Sequence, residues 1–269
     1  MGERALESGR GEPPLLLLHG FTGSADAWRD LLPVLGKRAR TVAIDLPGHG
    51  PRDRQAAALE RITPAGCVAA VGARLDALGI RRAVVLGYSM GARVALRFAR
   101  DHPERVAGLV LESAAFGIRD PEERAARRRA DEALAAGLLR DGLAPFVDAW
   151  MRQPLFASQA SLPAPVLARA RAMRMESDPA GLAACLRGLG QGSFPPAWDA
   201  LPALRMPVLL LAGEHDAKYR DAAAEAAALL PRARVAIISG AGHTVHLEQP
   251  TAFAAAVEAF LIYLQGESP

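Results

Sequence analysis

Three short stretches of the chain hold residue types that together could activate a hydroxyl. Gly87-Tyr88-Ser89-Met90-Gly91 sets a serine between two glycines, where an apolar run (83–87) passes directly into a helical pattern (90–101). A strand that turns so sharply into a helix needs small residues around the bend, and it lifts the apical side chain clear of the backbone. The helix also points its positive end at any anion formed there. A serine hydroxyl needs a base within hydrogen-bond reach and a carboxylate to orient that base. Asp216, in "GEHDAKY" past the apolar run 207–213, and His243, in "SGAGHTVH" past the run 234–239, supply both. The expected triad is therefore Ser89, Asp216 and His243, each at the C-terminal end of a predicted strand.

Other residues compete for these roles. Glu112 ends its own apolar run and is the alternative acid, although a buried structural carboxylate is the plainer reading. His215 and His246 flank the chosen pair and read as loop-lining or packing residues, because no third ligand accompanies them for a metal. Asp45 in "AIDLPGHG" reads as fixing a turn, and His49 as lining or capping the cleft. The two cysteines, Cys67 and Cys185, lie in Ala-rich helical stretches without C-x-x-C or His spacing. Buried thiols are expected there, not a disulfide or a zinc site.

These residues must be held by a scaffold, and the chain's periodicity predicts one. Short apolar runs at 15–18, 41–45, 83–87, 107–112, 207–213 and 234–239 alternate with longer helical patterns at 64–79, 90–101, 218–230 and 250–264. This is the signature of βαβ units on a mostly parallel sheet, and continuous apolar runs suit strands covered on both faces. The helices open with a capping residue or a proline at the first turn, as in Thr63-Pro64 and Gln249-Pro250. From about 117 to 192 the alternation gives way to helical patterns alone, with Asp120-Pro121 and Asp178-Pro179 as helix starts. A helical block inserted between two strands of an α/β core is expected to roof the strand C-terminal edge as a lid. The predicted organisation is a core of residues 1–116 and 193–269 and a lid of residues 117–192.

Composition excludes several classes. A chain of 269 residues, 51% hydrophobic, is long enough for one sizeable core. All but two of its 32 basic residues are arginine, the exceptions being Lys37 and Lys218, and 29 acidic residues leave a formal charge of +3. That balance, without aromatic-basic alternation, argues against a nucleic-acid partner. No stretch reads as a signal peptide or as a membrane span, so no membrane partner and a cytoplasmic location are expected. Arginine binds carboxylates through a planar two-point contact, so part of this arginine content is expected to face an anionic ligand.

The order Ser, Asp, His and the G-x-S-x-G elbow resemble the α/β-hydrolase superfamily from about residue 14 onward. In that fold the amide after His19-Gly20, that of Phe21, pairs with the amide after the serine, that of Met90, as an oxyanion hole; the plainer reading of His19-Gly20-Phe21 is a tight turn. Within the superfamily, "GYSMGAR", "EERAARRRADEAL", "FVDAWMRQPLFAS", "LRGLGQGSFPPAWDAL", "GEHDAKY" and "GAGHTVHLEQP" resemble the menaquinone-pathway 2-succinyl-6-hydroxy-2,4-cyclohexadiene-1-carboxylate synthases. Two departures are visible: the N-terminal strands of larger relatives look shortened or absent, and Ala92 stands where a third glycine is common.

The resemblance implies a cofactor-free, metal-free lyase acting on a small polycarboxylate. It removes pyruvate from 2-succinyl-5-enolpyruvyl-6-hydroxy-3-cyclohexene-1-carboxylate by proton abstraction beside a ketone. By motif position Arg127 and Arg174 resemble the family's carboxylate-binding arginines, and Tyr88 and Trp150 its pocket aromatics. Arg93, four residues past Ser89, is one helical turn away and can sit beside it. In the run Arg127-Arg128-Arg129 at least one side chain must face solvent, since consecutive residues point about 100° apart; Phe156 reads equally as core or pocket. A serine hydrolase cutting an ester or a carbon–carbon bond, and a binding protein retaining its triad for ligand capture, are the competing expectations. Oligomeric state has no signature in the sequence.

Overall fold

The computed structural model describes residues 5–50, 59 and 62–266. Its centre is a seven-stranded sheet, in spatial order β1-β3-β2-β4-β5-β6-β7. The strands are β1 (Ala5–Ser8), β2 (Leu15–Leu18), β3 (Thr41–Ile44), β4 (Ala83–Tyr88), β5 (Val106–Glu112), β6 (Val208–Gly213) and β7 (Ala233–Ile238). All six predicted strands are present within a residue or two of their expected ends. β1 was not expected: it pairs antiparallel with β3, Ala5 opposite Ile44, so a short N-terminal strand is retained. Every other neighbouring pair is parallel.

The expectation of strands covered on both faces holds for β2 to β6 and fails for β7. Leu15 to Leu18 are at most 1% exposed, whereas Val235 and Ile237 of β7 are 45% and 41% exposed. β7 is the edge strand, bonded on one side only to β6, and its apolar run reflects β propensity more than burial.

The helices are α1 (Leu32–Leu35), α2 (Pro64–Ala77), α3 (Met90–Asp101), α4 (Pro121–Asp141), α5 (Leu143–Met151), α6 (Ala164–Met175), α7 (Pro179–Leu189), α8 (Ala217–Leu229), α9 (Val245–Glu248) and α10 (Pro250–Leu264). One apolar layer, with Val71, Phe98 and Ala226, covers one face of the sheet. A second, with Trp28, Phe253 and Phe260, covers the other. Cys67 and Cys185 are buried on α2 and α7.

Helices α4 to α7 all lie between β5 and β6; α4, α5 and α7 share a small apolar cluster of their own, Ala135, Leu138, Leu143, Val147, Leu182, Ala183 and Leu186, against which Met175 of α6 packs. Asp120 caps α4 by accepting hydrogen bonds from the amides of Glu122 (2.9 Å) and Glu123 (2.8 Å). Asp178 caps α7 through the amide of Gly181. Phe21, at the end of β2, packs against this cluster, so the helical block meets the sheet at its C-terminal edge. β2 has β3 on one side and β4 on the other. That reversal of winding opens a crevice beyond the carboxyl ends of β2 and β4, where His19-Gly20-Phe21 and Ser89 emerge. Among the described residues no helix is long and apolar enough to cross a membrane.

Candidate active site

The elbow is made by steric necessity. Ser89 sits at φ 51°, ψ −103°, a conformation that costs a non-glycine residue about 1–3 kcal/mol. Its amide donates to the carbonyl of Glu112 (2.9 Å), which pins the turn to β5. A methyl on Gly87 would collide with the Gly91 carbonyl, and one on Gly91 with the carbonyls of Leu18 and His19. Both glycines are therefore required for the strand to reverse into α3 against β2. Ala92, the departure from the family pattern, is fully buried in α3.

Ser89 Oγ lies 3.0 Å from Nε2 of His243, and Nδ1 of His243 lies 2.7 Å from Oδ2 of Asp216. A carboxylate only accepts, so Nδ1 carries the hydrogen and Nε2 is free to take one from the serine. His243 and Asp216 are 1% and 6% exposed, which keeps the relay out of bulk water. The Tyr219 ring packs 4.5 Å from the imidazole, and the buried Phe156 ring lies 6.0 Å away.

The histidine loop is held by residues that sequence reasoning passed over. Glu248 accepts the amides of Gly242 (2.7 Å) and Thr244 (2.9 Å), bracketing His243, and the Ser113 hydroxyl donates to the His243 carbonyl (2.8 Å). Glu248 stands four residues past Thr244, a spacing that identifies a helix-start acceptor only once α9 is known. Gln159 donates to Thr244 Oγ1 (2.9 Å), tying the helical block to the same loop.

The competing residues are occupied elsewhere. Glu112, fully buried, accepts from the backbone and ring nitrogens of His246 at 3.0 and 2.9 Å. His246 in turn packs on Trp28 at 4.4 Å. His215 is exposed. Asp45 accepts the amide of Ala25 (2.7 Å), which fastens the loop after β2 to the loop after β3. His19 accepts the Leu46 amide at Nε2 (3.0 Å) and donates from Nδ1 to the Gly20 carbonyl (2.8 Å), so it is a neutral strut of that loop. His49 packs edge-on against His19 and Phe21. Burial pushes the pKa of both His19 and His49 down.

Phe21, Ser89, Met90, Arg93, Arg127, Asp131, Trp150, Lys218 and Tyr219 are among the residues lining one cavity of about 160 Å³. Met90 is the first residue of α3, where a helix leaves its amide without an intrahelical acceptor. Arg93 is buried, with Nη2 donating to the Leu189 carbonyl (2.6 Å) and its guanidinium 5.2 Å from the Phe194 ring. Desolvation pulls its pKa down to about 10. Of the arginine run, Arg127 faces this cavity, Arg128 donates to the Gly192 carbonyl, and Arg129 is exposed.

Tyr88 and Arg174 stand apart from that group. They line a second cavity of about 330 Å³ with Thr244 and Met173, and Phe21 borders both spaces. The Tyr88 hydroxyl bonds Thr244 Oγ1 at 2.8 Å, and burial raises its pKa. The Tyr88 ring also lies 2.7 Å from where a Cβ on Gly20 would sit, which explains the glycine. Trp150, on α5, packs against Phe21 at 5.0 Å and lines the Ser89 cavity.

Comparison with known proteins agrees with this architecture. A model of the alpha/beta hydrolase family matches residues 15–256. A Bacillus subtilis (strain 168) protein, named provisionally as a 2-succinyl-6-hydroxy-2,4-cyclohexadiene-1-carboxylate synthase, is 40% identical over 92% of this chain and 89% of its own. A Klebsiella pneumoniae (strain 342) protein named as that synthase is 36% identical over 96% of this chain and 97% of its own. The structure of MenH from S. aureus superposes with a TM-score of 0.93 at 31% identity, covering 98% of this chain and all of that one. The elbow, the strand order and these matches agree: the chain belongs to the alpha/beta hydrolase family and, within it, to the group of 2-succinyl-6-hydroxy-2,4-cyclohexadiene-1-carboxylate synthases.

Proposed function

We propose that the chain is a carbon–oxygen lyase of menaquinone biosynthesis that eliminates pyruvate from 2-succinyl-5-enolpyruvyl-6-hydroxy-3-cyclohexene-1-carboxylate. The observation that carries the reading is a serine–histidine–aspartate relay opening onto a cavity lined by Arg93 and Arg127. The substrate bears three carboxylates, on the ring, the succinyl arm and the enolpyruvyl ether. An ester hydrolase has no comparable need for guanidinium groups lining the cavity of its serine.

In this reading Ser89 Oγ, its proton drawn toward His243 Nε2, takes the hydrogen from ring carbon 2, next to the succinyl ketone. The amides of Phe21 and Met90 hold the ketone oxygen as it gains enolate charge. The electron pair forms the C2–C3 double bond, the C3–C4 double bond moves to C4–C5, and the C5–oxygen bond breaks. The departing enolpyruvate takes up a proton to become pyruvate, and the ring is left as the 2,4-diene. Asp216 stabilises the imidazolium formed in between. No cofactor or metal enters these steps. Arg93 and Arg127 hold carboxylates in the Ser89 cavity, Arg174 takes one from the adjoining space, and Tyr88 and Trp150 set the pocket walls. Residues 117–192 act as the lid over a core of residues 1–116 and 193–269, in a cytoplasmic enzyme.

The test is pyruvate release measured with coupled lactate dehydrogenase. Wild-type protein is expected to release pyruvate stoichiometrically with diene formation, and Ser89→Ala to lose about 10²- to 10⁴-fold in kcat, the usual share of a positioned proton-transfer group. No pyruvate above background from well-folded protein rejects the lyase; rapid turnover of nitrophenyl esters in its place promotes a hydrolase.

A further inference from the structure

Asp131 is an acidic residue inside a cationic pocket. It is 1% exposed, lies one turn past Arg127 on α4, and lines the same cavity as Ser89. An arginine–carboxylate pair ordinarily engages both carboxylate oxygens in parallel. Here both contacts from Arg127, Nε at 2.9 Å and Nη2 at 2.7 Å, fall on Oδ1. Oδ2 has no hydrogen-bond partner among the described residues. Buried charged acceptors are normally satisfied, so an oxygen left open beside a ligand cavity awaits a donor from the ligand.

A second feature keeps that oxygen open. Gly190, directly after α7, also lines the cavity, and a side chain there would overlap Asp131 Oδ2. Its backbone lies at φ −57°, ψ 158°, a conformation open to any residue, so the glycine answers to space and not to backbone geometry. Donors of Arg127 not committed to Asp131 remain available to an anion alongside.

We propose that Arg127 and Asp131 form a composite subsite for a β-hydroxy acid, the guanidinium binding the carboxylate and Asp131 Oδ2 accepting the hydrogen of a hydroxyl on the neighbouring carbon. The assignment of that pair to the ring carboxylate at carbon 1 and the hydroxyl at carbon 6 rests on the lyase reading; the subsite itself does not. The bare carboxylate also disfavours a ligand that would set a second anion in the hydroxyl position, so it discriminates as well as binds.

The test compares binding of 2-hydroxycyclohexane-1-carboxylate, as separated cis and trans isomers, with that of cyclohexanecarboxylate, by calorimetry or ligand-observed NMR. For wild-type protein one hydroxy isomer is expected to bind about ten- to a hundredfold tighter than the deoxy acid, the range for a hydrogen bond to a charged group. Asp131→Asn, which is isosteric, and Asp131→Ala are expected to cut the ratio to below about threefold, while Arg127→Ala weakens both acids alike. A wild-type ratio near one, or a ratio kept in Asp131→Ala, overturns the proposal. Should neither variant fold, the wild-type ratio decides alone. Because the readout is binding, absent pyruvate release leaves the subsite standing, and intact release with a ratio of one sinks only the subsite.

Discussion

Arg174 offers a test in which stability and function are expected to move in opposite directions. Its side chain on α6 is 8% exposed, Nη1 donates back to the Ala170 carbonyl at 2.7 Å, and Nε has no partner among the described residues. No carboxylate of those residues forms an ion pair with it, and burial holds its pKa below the usual guanidinium value. A buried cation without a counter-charge destabilises the ligand-free fold, and replacing buried charge by an apolar group of similar size commonly gains a few kcal/mol. Arg174→Met is therefore expected to stabilise the free protein by about 1–3 kcal/mol, which for a chain of this size is roughly 2–4 °C in Tm per kcal/mol. On the proposed function the same substitution is expected to cost a charge-assisted bond to a substrate carboxylate, about 1.5–3 kcal/mol or roughly 10- to 150-fold in kcat/KM. Thermal melts of the free proteins and coupled pyruvate assays measure the two effects. Saturating dicarboxylate is a further readout, since about 100 Kd of ligand adds roughly 2.7 kcal/mol to a protein that binds it and nothing to one that does not. A lower Tm together with kcat/KM within about twofold of wild type refutes the reasoning and makes Arg174 structural.

Glu248→Ala leaves the buried amides of Gly242 and Thr244 without acceptors. A loss of about 2–6 kcal/mol of stability is expected, with kcat falling far more than KM because His243 lies between those amides; unchanged kcat in folded protein counts against this clamp. The depressed pKa values of His19 and His49 predict acid sensitivity above the carboxylate range. Both imidazoles are neutral in the fold and take up protons near pH 6.5 when unfolded, so their contribution is complete above about 6.5. It declines as pH falls toward the folded values, by up to about 1.4 kcal/mol per pH unit for each. Denaturant midpoints between pH 5 and 8 measure the slope, which His49→Gln is expected to flatten; an unchanged slope disproves the assignment to His49.

The serine–histidine–aspartate constellation was legible in the chain because its members sit at places where local pattern is strong. The apolar runs that precede Ser89, Asp216 and His243 end in loops with few alternatives, and Gly87 and Gly91 announce a backbone too crowded for side chains. Proline and aspartate at helix starts act within one turn, so Asp120-Pro121 and Asp178-Pro179 could be read without knowing what the helices touch. The edge position of β7 and the existence of β1 were not legible, since pairing partners are chosen by strands far away in sequence.

What the sequence determined alone was the order of elements and which serine, histidine and aspartate stand at the ends of the strands, because hydrophobic period, caps and tight turns depend on neighbours a few residues apart. Tertiary structure decided which carboxylate serves which histidine. Asp216 meets His243 across 27 residues, while Glu112 is taken up by His246 across 134. It also separated Arg174 and Tyr88 into a cavity beyond Phe21, and turned Asp131 from one charge on a polar helix into an acceptor lining the cavity that Ser89 lines. Such choices depend on the angles at which helices and sheet pack, and those angles are set by the fit of the whole core, which no local window of sequence contains.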